Sequence, residues 1–109
     1  QKWPVDWLRR YNTHPTESNP CSSNAFASLI ASAAAWGHAH GRPMHVGEFG
    51  AYTKADPASR VRFYRDLRVC MERHGLGWAM WDWKAGFNFW DPSLRQPLPG
   101  MRAALGLGE

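Results

Sequence analysis

The sequence predicts an α/β fold in which two short parallel strands are joined by a long helix. Two long stretches have apolar residues at helical spacing and end at glycine, whereas two short apolar runs have the character of buried strands. The second helical stretch lies between the two apolar runs. Strand–helix–strand order with a connection of this length is the βαβ unit, whose strands are parallel neighbours.

The size and composition of the chain indicate a single folded domain. It has 109 residues, of which 44% are hydrophobic and 14% aromatic, so disorder is not expected. Basic residues exceed acidic ones by 13 − 9 = 4, a mild positive charge that tolerates an acidic partner without requiring one. The longest apolar stretch, residues 31–36, is far too short for a membrane span, so no membrane partner is expected.

The first part of the chain is predicted to be a loop followed by a helix. Residues 1–20 contain three prolines and no helical or strand periodicity, and long ordered loops of this kind are often functional. A helix is predicted over residues 21–41, capped by Ser22, Ser23 or Asn24 and ended by Gly41. Its predicted buried face comprises Phe26, Leu29, Ile30, Ala33 and Gly37.

The βαβ unit follows. Residues 43–47 are predicted as the first strand, with Glu48 at its C-terminal end. The second helix is predicted over residues 55–75, with Asp56 as N-cap and Pro57 in the first turn. Its predicted apolar face comprises Phe63, Leu67, Cys70 and His74, with Tyr64 and Met71 beside it.

The remaining elements do not complete a sheet. Residues 77–81 are predicted as the second strand, residues 82–92 as an aromatic loop and residues 99–105 as a short helix. Parallel strands are normally covered on both faces and flanked by further strands. Either other chains complete this sheet, or the chain is a piece of a larger domain.

Two carboxylates are placed where ligands of parallel α/β sheets bind. Glu48 follows the first strand and Asp82 the second, so both are expected at the carboxyl ends of the strands. Gly47 and Gly50 let the backbone turn closely around Glu48. A glutamate in an ordinary turn remains the alternative to a functional Glu48.

Aromatic residues cluster after both predicted strands. A single ring there would usually fill the space between strands and helices, but seven are hard to bury together. Aromatic faces also suit the apolar C–H face of a sugar. The seven are Phe49, Tyr52, Trp81, Trp83, Phe87, Phe89 and Trp90.

Other chemistries have weaker signals. The five histidines lack metal-ligand spacing, so neither a metal nor another cofactor is expected. Cys21 and Cys70 imply no disulfide framework; a single bridge is the alternative, but Cys70 lies in an apolar helical stripe and is expected to be a free buried thiol. Arg60, Arg62, Arg65 and Arg68 on the second helix suggest a basic face, but the pairs Arg62–Asp66 and Arg68–Glu72 favour a solvated surface over nucleic-acid binding.

The stretch RPMHVGEFGAYTKADPASRVRFYRDLRVCMERHGLGWAMWDWKAGFNFWDP resembles the last part of the glycoside hydrolase family 5 catalytic domain. This resemblance implies a partial TIM (β/α)8 barrel with helix six, strand seven, helix seven, strand eight and a short terminal helix. Residues 1–109 would then be the C-terminal segment of one catalytic domain. Glu48, in GEFG, corresponds to the nucleophile, and Trp81 corresponds to the tryptophan lining the subsite of the attacked sugar.

The resemblance also implies an activity. The expected reaction is retaining hydrolysis of β-1,4-glycosidic bonds in glucan polysaccharide or oligosaccharide, with Trp3 and Trp83 as further substrate-binding residues. The family's acid/base glutamate follows an earlier strand, so the chain is expected to be inactive without the remaining N-terminal portion of the barrel. Self-association through exposed strand edges and a secreted, extracellular or periplasmic location are expected. The alternative is a non-catalytic carbohydrate-binding module with a Trp-rich face, although such modules are usually β-sandwiches.

Overall fold

The computed structural model describes residues 10–13, 19 and 21–108, and within them the chain has the predicted mixed α/β architecture. Three helices and four short strands lie along these residues. In chain order they are α1 (Asn24–Ala39), β1 (His45–Phe49), α2 (Pro57–Arg73), β2 (Gly77–Met80), β3 (Trp90–Asp91), β4 (Gln96–Pro97) and α3 (Met101–Ala104). The predicted loop over residues 1–20 lies largely outside the described residues.

Helix α1 packs on a narrower stripe than predicted. Phe26 and Ile30 contact the core, and Gly37 is buried where a Cβ would lie only 2.7 Å from the Arg42 carbonyl oxygen. Leu29, predicted on the same face, is 69% exposed, so that assignment was wrong. Leu29 lies about 100° around the helix from Ile30 and points away from α2, against which α1 packs.

Helix α2 begins as predicted. The Asp56 carboxylate accepts the Ser59 N–H at 2.8 Å and Pro57 is the first helical residue, so two residues define this start. Gly75, at φ +72°, follows the helix in the left-handed conformation that favours glycine.

The buried face of α2 differs from the predicted one. It consists of Ser59, Arg60, Tyr64, Leu67 and Met71, and Tyr64 and Met71 are fully buried. His74 is exposed and Cys70 is a half-buried free thiol. The predicted stripe was rotated by about one residue because the periodicity alone does not distinguish two adjacent apolar rows on one helix.

Strands β1 and β2 are parallel neighbours, as predicted for a βαβ unit. His45 pairs with Gly77 and Val46 with Trp78, but the next pair is Phe49 with Met80. Two residues of β1 therefore lie opposite one residue of β2, which is a β-bulge. Glu48 consequently lies inside β1, and the predicted strand end at residue 47 was too early.

The remaining elements close one side of the core. β3 and β4 form a small antiparallel hairpin within and after the predicted aromatic loop. Helix α3, shorter than predicted, packs against α2 and buries Met101 and Ala104. The core cluster thus lies between α2, α3 and one face of the β1–β2 sheet.

In the part of the chain that the structure describes, no further strand pairs with either edge of the β1–β2 sheet or covers its opposite face. This is the partial barrel that the sequence predicts: one βαβ unit with a preceding and a following helix. No helix in the described ranges is long and apolar enough to cross a membrane.

Candidate active site

The bulge in β1 determines where the Glu48 side chain points. Val46 and Phe49 both pack against the core cluster, although they are three residues apart. In a regular strand, residues three apart point to opposite faces, so the extra residue in the bulge is what returns Phe49 to the core side. Gly47 and Glu48 are left on the exposed side of the sheet.

Trp81 lies on that same side. Along β2, Trp78 and Met80 are half-buried and contact the core, whereas Gly77 and Ala79 are exposed. Trp81 continues this alternation and is 48% exposed. Its backbone N–H donates to the Phe49 carbonyl at 2.8 Å, so the sheet pairing places Trp81 beside the residue that follows Glu48.

The result is an exposed carboxylate and an exposed indole on one face, at the carboxyl ends of two parallel strands. Within the described ranges, the Glu48 carboxylate makes no hydrogen bond or ion pair with another side chain. A carboxylate so placed can act as a nucleophile or a base towards a ligand, and an adjacent indole can stack on the apolar face of a sugar.

Asp82, the other strand-end carboxylate, points into its own loop. It is 8% exposed, and both its oxygens lie 3.0 Å from the Ala85 N–H. Its Oδ1 atom also accepts the Phe87 N–H at 3.2 Å. These bonds hold the turn after β2, which is a structural role and makes Asp82 unsuited to proton transfer on the Glu48 face.

The loops that follow β1 and β2 are tied directly to each other. A Cβ at Gly50 would overlap the Trp81 carbonyl oxygen, so only glycine permits this approach of the two backbones. Further along, the Thr53 N–H and hydroxyl both donate to the Gly86 carbonyl at 2.8 Å. The two loops are therefore joined by a close backbone contact and by hydrogen bonds.

Two buried side chains of α2 also link these loops, a role that the sequence pattern did not predict for either. Tyr64 and Arg60 contact backbone groups of the loop after β1 and of the loop after β2. Arg60 had been assigned to a solvated basic face, which is wrong because only 5% of it is exposed. Their i, i+4 spacing could have indicated this role, because it places both side chains on one face of the helix that follows the loop after β1.

The rest of the predicted basic face is also less solvated than expected. Arg62 donates to the Tyr11 carbonyl at 3.1 Å and to the Ser59 hydroxyl at 3.0 Å, and Asp66 pairs with Arg65 instead of Arg62. The Arg68–Glu72 pair is present at 2.7 Å. With Arg60 and Arg62 engaged in internal bonds, α2 does not present the continuous basic row that nucleic-acid binding would use.

The other predicted substrate-binding residues are in different situations. Trp83 is 55% exposed, and its ring is stacked on those of Trp90 and Phe89, at centroid distances of 5.0 Å and 5.5 Å. Part of its surface is thus used within the loop itself and part is available. Trp3 lies outside the described residues.

A cavity of about 520 Å³ lies beside the first turn of α2, between the two loops and the β3–β4 hairpin. Arg60, Asn88 and Asp91 are among its lining residues, but Glu48 and Trp81 are not. The open sheet face that carries Glu48 is therefore distinct from this cavity. Among the described residues, no group of three or more His, Cys, Asp or Glu side chains could hold a metal ion.

Neither protein-family models nor curated proteins match this chain, but solved structures do. An endoglucanase is 33% identical, with a TM-score of 0.72, over 77% of this chain and 28% of that one. A hyperthermophilic endo-β-1,4-glucanase in complex with substrate is 29% identical, with a TM-score of 0.72, over 84% and 30%. A mutant form of Thermotoga maritima Cel5A in complex with cellobiose is 30% identical, with a TM-score of 0.70, over 74% and 26%.

The same Cel5A has also been solved in complex with mannotriose, where the match covers 95% of this chain and 33% of that one at 26% identity. The chain spans a third or less of the length of these solved structures. Its structural neighbours are thus endo-β-1,4-glucanases, and the predicted partial barrel is confirmed. The alternative of a β-sandwich binding module is not favoured.

Proposed function

This chain has the fold of the C-terminal portion of a glycoside hydrolase family 5 catalytic barrel, and from that premise we propose that Glu48 is the nucleophile of a retaining endo-β-1,4-glucanase. The observation that carries the proposal is the bulge in β1. It turns Glu48 away from the core and onto the exposed sheet face that Trp81 shares. Bulges are enriched beside active sites, where they re-aim a side chain.

In the proposed reaction, the Glu48 carboxylate attacks the anomeric carbon and displaces the leaving sugar. Retaining enzymes use a second carboxyl group about 5–5.5 Å from the nucleophile, which protonates the leaving oxygen and then activates the water that releases the sugar. Trp81 stacks on the apolar face of the attacked sugar and holds its anomeric carbon near Glu48.

The second carboxyl group is not Asp82, since that carboxylate is buried and bonded to the backbone of its own loop. In the family that this chain resembles, the acid/base glutamate follows an earlier strand, so we propose that the N-terminal portion of the barrel supplies it. General acid/base catalysis is worth typically about 10²–10⁴-fold, and the retaining route uses it in both steps. The 109-residue chain alone is accordingly expected to be inactive.

The proposed substrate is β-1,4-glucan or its oligosaccharides. Cel5A, one of the similar structures, has been solved with cellobiose and with mannotriose. Trp83 and Trp3 are proposed as further sugar-binding residues. Such a polymeric substrate also suggests a secreted enzyme, in an extracellular or periplasmic location.

The decisive test is Glu48→Gln in the full polypeptide that carries this segment, assayed with an aryl cellobioside. Turnover should fall by at least about 10³-fold, because the amide cannot form the glycosyl-enzyme. Glu72→Gln is the matched control, since Glu72 lies on the outer surface of α2, paired with Arg68, and should leave turnover unchanged. Near-normal turnover in Glu48→Gln would refute the nucleophile assignment.

A second arm tests the covalent route itself. In Glu48→Ala, added azide should occupy the space of the missing carboxylate and attack the same carbon, yielding a glycosyl azide of inverted anomeric configuration. A product of retained configuration would contradict the proposed role of Glu48.

The open edges of β1 and β2 are the proposed contact surface for the rest of the barrel. In isolation the same edges would pair with another copy of the chain. Sedimentation of the isolated 109-residue chain should therefore show self-association that decreases when the preceding barrel segment is added. A stable monomer that ignores that segment would contradict this assignment.

A further inference from the structure

We propose that Arg60 and Tyr64, which we call the α2 clamp, are positioning residues that set the separation between Glu48 and Trp81. The proposal rests on the function proposed above and adds two residues that contact neither substrate nor the reacting atoms. They act through the backbone of the loop after β1, which begins two residues beyond Glu48, and of the loop after β2, which begins with Trp81.

Tyr64 holds both loops with one hydroxyl group. Its side chain is fully buried, and its oxygen accepts the Ala51 N–H at 3.0 Å, three residues after Glu48. Its single hydrogen is shared between the carbonyl oxygens of Phe87 and Trp81, at 3.1 Å and 3.2 Å. The hydroxyl thus joins the loop after β1 directly to the backbone of Trp81, the proposed stacking residue.

Arg60 makes a second, parallel link. Its Nε atom donates to the Ala51 carbonyl at 3.0 Å, and one terminal nitrogen donates to the Asn88 carbonyl at 3.0 Å. The N–H and the carbonyl of Ala51 are therefore both held by α2. The guanidinium carbon lies 5.7 Å from the centre of the Tyr64 ring, so the two clamp residues also fix each other.

The clamp determines geometry and not only stability. Ala51 and Trp81 belong to the two loops that touch at Gly50, where no Cβ can be accommodated. A displacement of either loop therefore changes where the Glu48 carboxylate lies relative to the indole. Since a shift of about 1 Å in a reacting group can cost about 10²-fold in rate, loosening the clamp should affect turnover before it affects binding.

The test compares Tyr64→Phe with Met71→Ala in the full polypeptide. Tyr64→Phe keeps the buried ring and removes only the hydroxyl that bridges the loops. Met71→Ala removes a fully buried side chain of the same helix, two turns beyond Tyr64, and serves as a control for loss of stability. For each variant, kcat, KM and the melting temperature are measured with the same cello-oligosaccharide.

Tyr64→Phe should lower kcat by about 10- to 100-fold while KM changes by less than about threefold. Met71→Ala should lower the melting temperature with kcat close to that of the unmodified enzyme. Equal losses of kcat in the two variants, or no loss of kcat in Tyr64→Phe, would overturn the positioning role.

Arg60→Lys provides an independent measurement that does not depend on Tyr64→Phe folding well. Lysine keeps the charge but lacks the planar fork that reaches the Ala51 and Asn88 carbonyls together, so kcat should again fall more than KM changes. The double variant should lose less than the product of the two single losses, because the clamp acts as one unit. Unchanged kcat in Arg60→Lys, or strictly multiplicative losses, would count against the clamp.

The outcome for Glu48 separates the two proposals. If Glu48→Gln abolishes turnover while Tyr64→Phe and Arg60→Lys leave kcat unchanged, the positioning role alone is refuted. If Glu48→Gln retains turnover, the proposed function fails and the clamp proposal fails with it.

Discussion

Asp82 offers a direct test of the distinction between a structural and a catalytic carboxylate. It sits at the end of β2, where a catalytic acid would be sought, yet its oxygens accept the backbone N–H groups of Ala85 and Phe87. Asp82→Ala removes these acceptors. Asp82→Asn keeps Oδ1, the oxygen that accepts from both N–H groups, and replaces only Oδ2.

The expected losses follow from these bonds. A hydrogen bond to a charged group contributes about 1.5–3 kcal/mol, which would suggest about 3–6 kcal/mol for two. Ala85 is exposed, so in the variant water can accept the Ala85 N–H in place of Asp82, and the free energy lost with that bond is smaller. Asp82→Ala should therefore lower the free energy of unfolding by about 2–4 kcal/mol, and Asp82→Asn by about 1 kcal/mol.

Urea unfolding of the full polypeptide measures both losses, and turnover of an aryl cellobioside is recorded for each variant that folds. Asp82→Asn should keep most of the activity, because its carbonyl oxygen still holds the turn. If Asp82→Asn folds normally but loses activity by about 10³-fold or more, Asp82 has a catalytic role and the structural reasoning is wrong. An equal loss of stability in both variants would show that the charge matters, and not the geometry of the bonds.

Three further predictions concern the loops and α2. Gly50→Ala should destabilise the fold by about 1–3 kcal/mol and lower kcat, because its Cβ would overlap the Trp81 carbonyl oxygen; unchanged unfolding in urea would contradict this. Hydrogen bonds from Ser59, mainly from its hydroxyl and also from its N–H, hold the pKa of the Asp56 carboxyl below its usual 3.8. The Asp56 carboxylate therefore stabilises the fold above pH 3.8, and this stabilisation is lost as the pH falls through the folded-state pKa. Asp56→Asn should lose less stability over the same acid range in pH-dependent thermal melts, because asparagine caps without titrating, and an identical decline in both proteins would refute the assignment. Burial raises the pKa of the Cys70 thiol, so iodoacetamide near pH 8 should modify it more slowly than a cysteine in the urea-unfolded chain, as measured by mass spectrometry.

The start of α2 shows what local sequence can specify. Asp56 and Pro57 define the first turn through their own chemistry, one as an acceptor for an orphan N–H and the other through its fixed φ. The order of strand, helix and strand then implied the parallel pair, which the structure confirms. Both inferences rest on interactions between residues close in the chain or on the handedness of the connection.

The direction of the Glu48 side chain, in contrast, depends on residues that are distant in the chain. A strand ending at residue 47 and a strand bulged at Gly47 and Glu48 are equally compatible with the letters HVGEF. The choice depends on Phe49, which must reach the core beside Tyr64 and Trp78 and does so only if one residue is left unpaired. A distant packing requirement thus decided the orientation of the proposed nucleophile.

Arg60 is a similar case. On an isolated helix, arginine beside other arginines indicates a solvated face, yet here carbonyl oxygens of two loops, one nine and the other 28 residues away, surround its guanidinium. Its burial is tolerated because those carbonyls and the Tyr64 ring offset the lost hydration.

The sequence by itself determined the class of fold, the start and end of α2 and the strand-end position of Glu48, because each depends on short-range patterns. Trp81 was singled out by the family resemblance. The tertiary structure alone decided the bulge that turns Glu48 outward, the inward turn of Asp82 and the burial of Arg60 and Tyr64. Each of these depends on which groups far apart in the chain meet in the core, where an unpaired polar group or an empty space costs free energy that no local pattern records.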